Sequence, residues 1–549
     1  MSSTQRALQI DELLRHILGS LDATKDCITL LATARVNKQW SSVALECIWA
    51  NVSTRNIKRF FWSRFTEDFC PQRQSVDRFT AQYAPLIQSL TLTFSDSSHD
   101  WELYYSWLTD SFCASLTRLR VLNISVDGSR FASCMARRLI TPNVTFLKLT
   151  LRGPVVTGSY LHEVFKRTSA VATHLRGISI ACSSSAVWRS AKAETLPWIT
   201  SIRSLTEVHL PASSLSPVAI STLTSLPNLR GVGASRYSGS NEERNPAHHR
   251  LPHYMGPLLP DDEELTELMV IKPSTPVSLV HLCICGTPKS ISSALRRLDL
   301  ARLKRLDIAL AACDDESEVR ALCSTISQSC PTLSCVHISA PVLSPFEPDL
   351  PRLSWSTLQP LAALRALWSV QLEWDTPLRI CNADVEELAA AWPALYELRL
   401  CATKRPVGAL CEAAGLDLGA LAILARGCPR LLALDLEVHP VVPAGLSTAT
   451  LPRFNDLQDL ALSLGLPLPE PAQLAHAAAF LATIGPRDAV RVREPVFLGV
   501  LQSAVDDEPF DAQVLFERYR AWLTISRTLL NVGRDLQREV RKHDAAKAR

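Results

Sequence analysis

At 549 residues, with 47% hydrophobic and 20% charged positions, the chain is built to fold and is too long for one ordinary core. A formal charge of +3 leaves no electrostatic footprint for nucleic acid or an anionic membrane as partner. No apolar run approaches the ~20 residues of a membrane helix, and Asp11 and Glu12 fall where a secretory leader needs its apolar core, so the expected location is cytoplasmic or nuclear.

Three short helices are expected in residues 1–55. The first runs from Asp11 to about Leu18, and its Leu13, Leu14, Ile17, Leu18 and Leu21 cover more than one stripe. The second starts near Asp26, a candidate N-cap, and carries Ile28, Leu30, Leu31 and Ala34. The third spans Lys38 to Ile48 and brings Trp40, Val43, Ala44, Leu45 and Trp49. So small a unit buries too little surface to stand comfortably alone, so its surplus apolar residues must meet either the next domain or another protein. Linker helices are expected over 56–85.

From 86 to 465 a short pattern recurs, an aliphatic residue, a polar one, then another aliphatic, as in "LTRLRVLNI", "CPTLSCVHI", "WPALYELRL" and "CPRLLALDL". Alternation of this kind reads as a strand with one buried and one wet face. The residue between the aliphatic pair is, in chain order, Thr91, Asn123, Lys148, Ser179, His209, Cys283, Asp307, His337, Gln371, Arg399, Asp435 and Ala461. Ten of these twelve are polar, which a leucine-rich α/β protein with strands apolar on both faces would not produce. The copies lie roughly 24 to 36 residues apart, with one longer gap, and Gly or Pro stop signals precede several strands, so each unit is a strand with a helical return.

Residues 233–276 interrupt the pattern and read as an exposed loop, whose His248, His249 and His253 are solvated rather than metal ligands. Residues 466–549 end in a long amphipathic helix marked by Leu515, Tyr519, Trp522, Leu529, Leu536 and Val540, expected to cap the last repeat. The 16 cysteines include no CxxC pair, and Cys283 with Cys285 read as buried free thiols, so no metal or other cofactor is expected. No phosphate-binding glycine loop, GxSxG elbow or HExxH is present, so the chain reads as non-catalytic.

The recurring units resemble leucine-rich repeats of the cysteine-containing kind. That resemblance implies a curved solenoid with parallel strands on its concave face, where Lys148, His209, Asp307, His337, Gln371, Arg399 and Asp435 would meet a target protein. The family's Asn or Cys three residues beyond the strand is replaced here by Asp127, Ala311 and Thr403, which implies an irregular arc.

The opening stretch, "IDELLRHILGSL" followed by "LLATARVNKQWSSVALECIW", resembles the F-box, and its ending looks like that of fungal members. Glu12, Leu13, Leu14, Ile17, Leu18, Leu31, Ala34, Val36, Lys38, Trp40, Leu45 and Trp49 carry the match, and Ile10 stands where that motif has Pro. An F-box followed by leucine-rich repeats resembles the substrate receptors of Skp–cullin–F-box ubiquitin ligases. This implies an adaptor-binding surface made of Ile10, Leu13, Leu14, Ile17, Leu18, Leu31, Val36, Trp40, Leu45 and Trp49. A Skp-type adaptor, and through it a cullin, would be partners, together with an unknown target. The alternative is a protein-binding repeat scaffold with no ligase role.

Overall fold

The computed structural model describes residues 11–21, 26–53, 56–57, 73–93, 108–126, 138–151, 158–182, 185–211, 214–235, 279–310, 313, 315–340, 353–374, 378–402, 415–439, 441–443 and 452–464, with positions 473, 476, 477, 480, 481 and 484. The expected loop is described only for 233–235, and the amphipathic C-terminal helix, Asp127, Ala311, Thr403 and Ile10 lie outside the described residues. The chain divides into two compact units, Met1–Ser214 with Thr222–Pro252, and Leu215–Ser221 with His253–Arg549.

The first unit opens with α1 (Asp11–Gly19), α2 (Cys27–Thr33) and α3 (Lys38–Ala50), as the spacing of apolar residues predicts. Leu14, Leu18, Leu30, Val43 and Ala44 form their shared core, with Leu21, Ala34, Trp40, Cys47 and Ile48 packed around it. Asn37 caps α3, its side-chain oxygen accepting the Trp40 N–H at 2.9 Å. Asp26 holds the N-cap position of α2.

Parallel strands follow in chain order. The first unit holds β1 (Asn51–Ser53), β2 (Ser89–Thr93), β3 (Val121–Val126), β4 (Phe146–Leu151), β5 (Gly177–Cys182), β6 (Glu207–Leu210) and β7 (Gly231–Ala234). The second holds β8 (His281–Gly286), β9 (Arg305–Leu310), β10 (Cys335–Ser339), β11 (Ser369–Trp374), β12 (Glu397–Ala402), β13 (Ala433–Val438) and β14 (Asp459–Leu464). Within each unit every strand pairs with the next in parallel register. That register lines up the alternating polar residues: Thr91, Asn123, Lys148, Ser179 and His209 are successive neighbours in the first unit. Cys283, Asp307, His337, Gln371, Arg399, Asp435 and Ala461 are successive neighbours in the second.

Two strands exceed the expected set. β1 pairs with β2, so the sheet begins at Asn51 and not after residue 86, and the helical module runs straight into it. β7 puts Gly233 beside His209 in the polar column. Its sequence, Gly-Val-Gly-Ala, has no aliphatic pair to betray it.

The turns before the strands are tied to each other by side chains. Asn143 donates to the Thr117 carbonyl at 2.7 Å, Ser204 to Leu175 at 2.7 Å, Asn228 to Arg203 at 2.9 Å and Thr332 to Ala301 at 2.8 Å. These bonds form a ladder at the strands' entrance. Where a Pro follows the helix, as at Pro331, Pro393 and Pro429, the residue before it (Cys330, Trp392, Cys428) leaves the helical region and ends the helix. Cys428 also donates its thiol to the Trp392 carbonyl at 3.5 Å, linking one repeat to the one before it.

Candidate functional site

The helical module sorts its apolar residues into two sets. Leu14 and Leu18, at 1% and 5% exposed, are core. Leu13, Ile17, Ile28, Leu31 and Val36 are 37%, 45%, 84%, 47% and 60% exposed, and they make up five of the nine large hydrophobic residues exposed among those described. Leu13 and Ile17 share one face of α1, and Ile28 and Leu31 one face of α2. Hydrophobic side chains this exposed, clustered within one small module, mark a surface built to be covered.

Three of the residues expected on that surface are elsewhere. Leu14 and Leu18 close the module's own core. Trp49 is 8% exposed, stacked on Tyr83 (centroids 4.9 Å) and edge-on to Phe79 (5.2 Å), which itself stacks on Phe112 (5.9 Å). This aromatic chain fixes α3 to the first repeats. Trp40 and Leu45 are half-buried, Trp40 against the module core. Glu46 adds a second tie, accepting from Arg15 of α1 at 3.2 Å and from Arg118, in the turn before β3, at 2.5 Å.

On the polar face of the first unit, Asn123 donates to the Thr91 hydroxyl at 3.0 Å, while Lys148 and His209 stand half-buried. His209 has Glu207 at 3.9 Å and the Phe146 ring at 6.4 Å. These side chains keep a share of solvent and can contact a partner.

The second unit treats the same positions differently. Asp307 is 4% and His337 1% exposed, so neither offers its side chain to a target as expected. Asp307 instead accepts from His281 at 2.7 Å and from Arg305 at 2.9 Å. Burial works to raise its carboxyl, but the hydrogen bonds from His281 and Arg305 and their charge outweigh it and hold the group at about 2. His337 lies between two carboxylates, Nδ1 at 3.8 Å from Asp307 and Nε2 at 3.7 Å from Glu373. One step along the sheet, Arg399 donates to Glu397 at 2.7 Å, and Ser369 donates to the same carboxylate at 2.9 Å. Gln371, Arg399 and Asp435 remain half-buried. The sequence could not reveal this network, because its members sit on neighbouring strands about thirty residues apart in the chain.

Burial pushes the thiols of Cys182, Cys323, Cys330 and Cys428 up to about 12 and that of Cys113 to about 11, the opposite of what a reactive cysteine needs. Among the described residues no helix is long and apolar enough to cross a membrane.

No family model matches the chain, and no curated protein matches it. Among solved structures, the yeast complex of Rad7 and Elc1 is similar over 83% of this chain and 94% of that one, at 13% identity and a TM-score of 0.38. A protein from Bacteroides fragilis is similar over 53% of this chain and 77% of that one, at 11% identity and a TM-score of 0.26. At such scores neither likeness bears on function.

Proposed function

We propose that the chain is the substrate-recognition subunit of a Skp–cullin–F-box ubiquitin ligase, non-catalytic itself, docking a Skp-type adaptor through α1, α2 and the turn after α2. The observation that carries this reading is the exposed set Leu13, Ile17, Ile28, Leu31 and Val36 on a module whose sequence resembles the F-box. The repeats hold the target, and the adaptor brings a cullin and the ubiquitin-carrying enzyme to it. Catalysis by such a receptor is proximity, since holding a target lysine near the loaded enzyme makes the encounter local. The ties at Trp49 and Glu46 fix the module to the first repeats, which a device for holding distance and orientation requires.

The test is co-purification with a Skp-type adaptor. The unaltered chain is expected to retain the adaptor, and Ile28→Asp with Val36→Asp to lose at least ~10-fold in affinity while staying folded, because both side chains are exposed. Leu14→Asp is uninformative, because it would unfold the module. An unaltered chain that ignores the adaptor would leave only the repeat scaffold.

A further inference from the structure

The turns that enter the strands of the first unit carry a row of arginines. The backbone positions just before β3, β4, β5, β6 and β7 are Arg120, Thr145, Arg176, Thr206 and Arg230. They form a hydrogen-bonded ladder: Thr145 N–H to the Arg120 carbonyl, Arg176 to Thr145, Thr206 to Arg176, and Arg230 to Thr206, at 2.7 to 2.8 Å. The two threonine hydroxyls also turn onto this ladder, donating to the carbonyls of Arg120 at 3.3 Å and Arg176 at 3.0 Å. The row therefore presents guanidinium groups as its free polar feature. Arg120, Arg176 and Arg230 are all exposed, and among the described residues none of the three has a salt bridge or side-chain hydrogen bond. Arg203 and His174, in the same turns, are exposed as well, while Arg118 is engaged by Glu46. The one carboxylate in the described turns and strand starts is Glu207, which faces His209.

Strands lie ~4.8 Å apart, so arginines on every second strand repeat at about 10 Å. A peptide in the extended polyproline II conformation advances ~3.1 Å per residue with about three residues per turn, so acidic side chains three residues apart lie on one face and keep step with that row. Planar guanidinium forks suit carboxylates. A single-stranded nucleic acid would want aromatic side chains between the charges, and the described turns of this unit expose none.

We propose that the strand-entry rim of the first unit, centred on Arg120, Arg176 and Arg230, binds an extended acidic peptide segment of a partner protein. This names the chemistry of the target and rests on the target-binding half of the proposed function, but it needs no adaptor for its test. Fluorescence anisotropy of the full chain with a labelled twelve-residue peptide bearing Glu at every third position measures it directly. Binding that falls about tenfold in Arg176→Gln with Arg230→Gln, weakens with added salt and is unchanged in Arg302→Gln with Arg430→Gln supports the rim. Equal binding of a Gln-for-Glu peptide, tighter binding of a (dT)12 oligonucleotide, or no effect of the paired rim substitutions would each overturn it. Circular dichroism of the variants separates lost contact from lost fold. A failure here with the adaptor still bound would leave the docking reading standing.

Discussion

The two units build the same repeat and differ in how parts of its polar face are satisfied. In the first, Lys148 and His209 are half-buried, and the rim above them carries arginine and threonine. In the second, Asp307 and Arg399 of that column pair with residues two positions earlier on their own and neighbouring strands, His281 and Arg305 on Asp307, Ser369 and Arg399 on Glu397, while Gln371 and Asp435 are half-buried. Its rim carries Val280, Trp368 and Tyr396, all exposed, with the two aromatic rings edge-on at 6.3 Å. Alternation along a strand therefore fixes which way a side chain points but not whether it meets water. Polar groups that satisfy each other can be sealed away from water.

The contrast is most easily broken at Asp307. Replacing it with Ala leaves His281 and Arg305 without their buried acceptor, an expected loss of about 3 kcal/mol in urea unfolding, whereas Lys148→Ala should stay within ~0.5 kcal/mol. Similar losses at the two sites would mean that the second unit's network is no more structural than the first unit's open face. Phe79→Ala, at the centre of the aromatic chain to Trp49, should remove about 3 kcal/mol and loosen the helical module from the sheet. Limited proteolysis near residue 50 would read the loosening.

Acid sharpens the same comparison. The Asp307 carboxyl titrates lower in the folded chain, near 2, than in the unfolded one, so its contribution is complete above about pH 4 and disappears as pH falls toward 2. The amount is about 2 kcal/mol, and Asp307→Asn should flatten that part of the stability profile. An acid limb unchanged by the substitution would place the sensitivity elsewhere. A smaller loss is expected at the turn ladder, where Asn228→Ala removes one bond to the Arg203 carbonyl and should cost about 1 kcal/mol by the same unfolding measurement.

Much of this fold is legible in the sequence because one face of each strand must be aliphatic. All twelve residues picked from that pattern fall on the strands and in one register within each unit. β7 lacks the pattern because Ala234 stands where it wants aliphatic bulk and Gly233 where it wants a polar side chain, and β1 because three residues after a helix carry too little of it. The proposed docking surface is only half legible. Helical spacing shows that α1 has two apolar stripes, but which stripe is core depends on where α2 and α3 lie, and that put Leu14 and Leu18 inside and Leu13 and Ile17 outside. Trp49 is likewise buried by partners its own stretch does not show, since Phe79 and Tyr83 lie about thirty residues on. The burial of Asp307 and His337 has no signal in their own strands at all.

Hydrogen exchange of the full chain with and without a purified Skp-type adaptor tests the docking account most directly. New protection confined to residues 11–36, with the strands unchanged, is the result that exposed Leu13, Ile17, Ile28, Leu31 and Val36 require. Protection that spares this stretch and falls on the repeats, or no change at all, would contradict it.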